Sequence, residues 1–99
     1  MMKKIIEVEK DLEEIVPGFI ERKKEDVFLM RDLLKKNDYE MIETMGHRLK
    51  GNAGGYGFDD LGLCGKELEE KAREHNNDEV SKVIDDIERY LSEIEVVFI

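Results

Sequence analysis

Seven apolar residues near the end of the chain constrain its fold most: Val80, Val83, Ile84, Ile87, Leu91, Ile94 and Phe98. Each follows the last by one, three or four positions, the spacing that keeps side chains on one face of an α-helix. The residues between them are largely charged or polar, so the segment from about Asp78 to Phe98 reads as one amphipathic helix with a buried stripe. A helix of this kind is not stable alone and needs other apolar faces to cover it. Three further segments supply them. Phe19, Ile20, Val27, Met30, Leu33 and Leu34 mark a helix to about Lys36, with Pro17 at its first position, where a missing N–H does no harm. Lys35 and Lys36 complement its negative end. Asn37-Asp38 reads as a turn and cap before a helix from about Tyr39 to Gly54, which Gly54-Gly55-Tyr56-Gly57-Phe58 breaks. Asp59 or Asp60 is then expected to cap a third helix carrying Leu61, Cys64, Leu68 and Ala72, ended by His75-Asn76-Asn77.

Four helices joined by connections of a few residues imply antiparallel neighbours, hence an all-α, up-down four-helix bundle. The 99 residues suffice for one domain, with the bundle over about 17–99. A short, helical N-terminal element over about 1–16 is expected to cover one end. Residues 3–8 alternate weakly and are left as either extended or helical, and Asp11 to Val16 reads as a short helical turn. No strand pattern demands a sheet.

The charge balance excludes several classes of function. A formal net charge of −9 opposes nucleic-acid binding, which needs clustered Lys and Arg, and opposes an anionic membrane surface for the same reason. No apolar run approaches the ~20 residues that span a bilayer. Met1-Met2-Lys3-Lys4-Ile5-Ile6-Glu7 is charged too soon to be a signal peptide. One cysteine, Cys64, cannot close an internal disulfide. A monomer in the cytoplasm is the expectation.

Chemistry concentrates in Gly46-His47-Arg48-Leu49-Lys50-Gly51-Asn52-Ala53-Gly54. Ile42, Met45, Leu49 and Ala53 set the buried stripe of this helix. His47 lies two residues from both Met45 and Leu49, roughly opposite that stripe at 3.6 residues per turn. Lys50 and Gly51, three and four residues on, are its surface neighbours. A lone surface histidine usually has no function, but imidazole is a nucleophile, base or ligand near neutral pH. An ammonium beside it can hold an anion, and a glycine, which costs a helix about 1 kcal/mol relative to alanine, leaves room for a partner.

His47-Arg48-Leu49-Lys50-Gly51 with Asn52-Ala53-Gly54, then Gly57, Leu61 and Leu68-Glu69, resembles the histidine phosphotransfer (HPt) domain family; Val16-Pro17-Gly18-Phe19-Ile20 resembles the start of that family's second helix. The resemblance implies that His47 accepts a phosphoryl group on Nε2 and exchanges it with the aspartate of a response-regulator receiver domain or receives it from a sensor histidine kinase. It implies that Lys50 steadies the phosphoryl group and that Glu69 hydrogen-bonds the imidazole Nδ1. Arg48, Gly51 and Gly54 fall on the docking face. The chain then needs no cofactor or metal of its own, the Mg²⁺ belonging to the receiver. By spacing alone Glu69 is one glutamate in the charged run Glu67–Lys71.

The alternative is a helical interaction module that docks a receiver without taking phosphate. A histidine-dependent hydrolase lacks a nucleophile and an oxyanion hole. Gly62-Leu63-Cys64-Gly65-Lys66 lacks the spacing of a phosphate loop. His47, Cys64 and His75 have no zinc-ligand spacing. The chain therefore reads as a phosphoryl carrier rather than an enzyme.

Overall fold

The computed structural model describes residues 3–99; the first two residues of the expected N-terminal element lie outside them. Strand β1 (Lys4–Val8) and a single 3-10 turn (Lys10–Leu12) precede four helices: α1 (Val16–Lys35), α2 (Tyr39–Gly55), α3 (Asp59–Arg73) and α4 (Asn77–Glu93). Strand β2 (Ile94–Phe98) follows them. The four-helix bundle is as the apolar spacing predicts. Its core includes Phe19, Val27 and Met30 of α1, Ile42, Leu49 and Ala53 of α2, Leu61, Leu68 and Ala72 of α3, and Val80, Val83, Ile84, Ile87 and Leu91 of α4.

Local chemistry sets the helix ends. Asp38 and Asn76 cap α2 and α4, their side chains accepting from Met41 N and Glu79 N. Both turns that precede these caps need a left-handed residue, Asn37 at φ 57° and His75 at φ 54°; asparagine is among the residues that tolerate this region. The expected aspartate cap of α3 is not formed. Its cap position is Phe58, with no side-chain cap hydrogen bond, and Asp59 and Asp60 lie in the first turn, where their charge still suits the helix dipole. Core burial of the Phe58 ring, which stacks on Phe19 with centroids 5.9 Å apart, sets that position instead.

The fourth helix stops at Glu93 rather than Phe98. Ile94, Val96 and Phe98 turn inward as alternate residues of β2, which pairs in parallel with β1 in the register Ile6↔Val96 and Val8↔Phe98. Ile94 and Phe98 are four residues apart, a spacing that serves one face of a helix and one face of a strand equally. The β-branched, aromatic sequence Val96-Val97-Phe98 favours the strand, and pairing with the other end of the chain decides it. Residues 3–8, open between extended and helical, are thus extended, and Val8 joins the core; the expected helical N-terminal element is instead this strand and the single 3-10 turn, because pairing with β2 satisfies its backbone.

Candidate functional site

Helices α2 and α3 run antiparallel and approach closely because of glycine. A Cβ on Gly46 would stand 2.7 Å from Glu69 N and 2.8 Å from Gly65 O, and one on Gly65 would stand 2.6 Å from Lys50 N. No side chain fits at either position. This backbone contact brings His47 of α2 level with Glu69 of α3. Spacing alone does not reveal it: Gly62 and Gly65 lie inside the apolar pattern of the third helix, where glycine is costly, and only the facing backbone of α2 shows what they accommodate.

His47 sits on the outer face with its side chain 67% exposed, whereas that of Glu69 is only 12% exposed. His47 Nδ1 lies 2.7 Å from Glu69 Oε2. A carboxylate can only accept here, so the ring donates from Nδ1. Among the described residues no hydrogen bond involves the ring's other nitrogen, Nε2. Lys50 donates from Nζ to the second carboxylate oxygen, Oε1, at 3.3 Å. Partial burial pushes the Glu69 carboxyl up, but the hydrogen bonds from His47 and Lys50 outweigh it and hold the group below its ordinary value. Glu69 is therefore a charged, fixed acceptor that orients both neighbours.

The remaining candidates separate. Gly51 lies one turn beyond His47 with nothing among the described residues within 4 Å of where a Cβ would be, and the same is true of Gly54. Gly54 is a further turn along, about 10 Å from His47 at 1.5 Å per residue, beside a recess formed with Glu7–Glu9 of the N-terminal segment. Arg48 is on the flank, between a shallow recess shared with Glu43, Thr44 and His47 and a second one lined by Leu29, Met41 and Met45. His47, Lys50 and Glu69 thus meet directly, Gly51 keeps the adjoining surface bare, and Arg48 and Gly54 border it. A family model, the Hpt domain, matches residues 7–96.

The chain belongs to the Hpt domain family. Hpt domains are phosphoryl carriers of two-component phosphorelays rather than nucleotide-binding enzymes. Comparison with curated proteins and with solved structures finds no match. Among the described residues no group of three or more His, Cys, Asp or Glu side chains is placed to hold a metal ion. No helix there is long and apolar enough to cross a membrane.

Two residues that the sequence reading passed over stand at the edge of this site. Arg73, one turn beyond Glu69 on α3, places an Nη 3.9 Å from Glu69 Oε2 and donates from Nε to Glu43 Oε2 at 3.4 Å. Glu43 lies one turn before His47 on α2. Each is one charge among many in the sequence, and only the antiparallel register of α2 and α3 brings the two together.

Proposed function

We propose that this protein carries a phosphoryl group on Nε2 of His47 and exchanges it with the aspartate of a receiver domain. The observation that carries this reading is the 2.7 Å contact of Nδ1 with Glu69 on a ring that is otherwise exposed. Donation from Nδ1 leaves the in-plane lone pair on Nε2, the nitrogen facing away from the carboxylate. In the transfer, that lone pair attacks the phosphorus of the partner's acyl phosphate. The N–P bond forms as the bond from phosphorus to the aspartate oxygen breaks, and the electron pair leaves with the aspartate carboxylate. The positive charge that develops on the ring is shared through the Nδ1 proton with Glu69. Lys50 places its ammonium beside the same carboxylate, one turn from His47, where it favours the transferred phosphoryl oxygens. The bare backbone at Gly51 lets the partner's surface close to the ~3–3.5 Å that in-line attack requires. The Mg²⁺ that this chemistry uses belongs to the receiver.

A receiver domain carrying labelled phosphate tests this directly. The label should move to the wild-type chain and not to His47→Gln, with the helical content of the two unchanged. Transfer to His47→Gln would overturn the assignment. No transfer to the wild type, together with stable complex formation, would instead support a docking module that takes no phosphate.

A further inference from the structure

We infer that Arg73 is the second cation of the phosphoryl site, a positioning residue acting through Glu69, and that Glu43 tethers and attenuates it. This rests on the reading of His47 as the acceptor. The carboxylate that orients His47 is also an anion close to where a phosphoryl dianion must arrive. Lys50 approaches it from one side at 3.3 Å and Arg73 from the other at 3.9 Å. Arg73 lies against Oε2, the same oxygen that accepts from His47 Nδ1. With both cations in place the cluster of Glu69, Lys50 and Arg73 carries a net positive charge, which favours an incoming anion. Glu43 opposes this. It holds the Arg73 guanidinium through Nε at 3.4 Å and puts a second negative charge into the recess beside His47.

The two residues therefore act with opposite signs. Were the Glu43–Arg73 pair merely a tie between α2 and α3, removing either partner would break the same tie and shift every property the same way. As an electrostatic device, Arg73→Ala lowers the phosphoryl affinity of the site and Glu43→Gln raises it. The Arg73 side chain is 61% exposed, so each effect is bounded at about fivefold, the range of exposed ion pairs.

The experiment uses phosphoramidate, a small phosphoryl donor that needs no cognate receiver, with phosphohistidine followed by phosphorus-31 NMR. Arg73→Ala should slow labelling of His47 by up to about fivefold, Glu43→Gln should speed it by a similar factor, and Arg73→Lys should recover most of the wild-type rate. Carbon-13 titration of the Glu69 carboxyl requires no donor at all. It should move up in Arg73→Ala and down in Glu43→Gln. Shifts of the same sign in the two variants, or none in either, would overturn the inference. If Arg73→Ala proves unfolded by circular dichroism, the sign of the Glu43→Gln effect decides alone, a slower rate refuting it. A wild-type chain labelled by neither phosphoramidate nor a phosphorylated receiver would refute the acceptor assignment and with it the phosphoryl role of Arg73, whereas labelled His47 with same-sign effects of the two variants would refute the role of Arg73 alone.

Discussion

Adding one methyl group at Gly46 should separate what holds the site together from what the site does. A Cβ there would stand 2.7 Å from Glu69 N, 2.8 Å from Gly65 O and 3.1 Å from Glu69 Cα. All three are backbone atoms, so no rotamer change relieves the clash. The two shortest contacts fall about 0.6–0.7 Å short of ordinary van der Waals separation, and α2 must move off α3 by a comparable distance. Overpacking of this kind costs about 1–3 kcal/mol, offset by the gain of up to about 1 kcal/mol from replacing glycine with alanine inside a helix. Because all three contacts are backbone, the overpacking cost lies in the upper part of its range, about 2–3 kcal/mol, and the net loss is about 1–2 kcal/mol. At about 4–8 °C per kcal/mol for a chain this size, Gly46→Ala should melt roughly 5–15 °C below wild type. Gly51→Ala is the internal control. It makes the same change one turn and a half along the same helix, where nothing among the described residues lies within 4 Å, and should leave the melting temperature equal or raise it by a few degrees, about 8 °C at most. Thermal unfolding followed by circular dichroism at 222 nm reads both. The displaced Glu69 backbone should also lengthen the 2.7 Å contact to His47 and slow phosphoryl uptake in Gly46→Ala. A Gly46→Ala protein that melts at or above the wild-type temperature would refute the close-contact account of α2 and α3.

Two further outcomes follow from the same geometry. Gly51→Gln should keep the fold, because the position is open, and lose most of its transfer rate from a phosphorylated receiver; wild-type kinetics in that variant would place the docking face elsewhere. Among the described residues the buried Tyr90 hydroxyl has no hydrogen-bond partner, and burial pushes its pKa up to about 12. Tyr90→Phe should therefore leave the melting temperature unchanged or slightly raised, and a loss of several degrees would reveal a partner for that hydroxyl.

The helices were legible in the sequence because their apolar residues repeat locally: Val80, Val83, Ile84 and Ile87 need no knowledge of distant parts of the chain to declare a face. The end of α4 was not, since Ile94 and Phe98 satisfy both periods. Only β1, almost the whole chain away, selects the strand. The cap of α3 was misread for a related reason. Asp59 and Asp60 are good cap residues by type, but the buried Phe58 ring fixes which residue takes the position. At the site, the exposure of His47 and the open space at Gly51 followed from helical phase alone. Glu69 came from the resemblance to a family, not from spacing. The fit of Gly46 against Gly65, and the meeting of Glu43 with Arg73, depend on how two helices face each other. A one-dimensional pattern holds glycines and charges without saying which of them meet.

The central claim is that the phosphoryl group resides on one nitrogen of one side chain. Proton–phosphorus and proton–nitrogen correlation NMR on the phosphorylated, nitrogen-15-labelled chain locates it directly. The account predicts a single phosphohistidine, on Nε2 of His47, with Nδ1 protonated and still hydrogen-bonded to Glu69. Phosphorus on Nδ1 of His47, on His75, or on a carboxylate would contradict it.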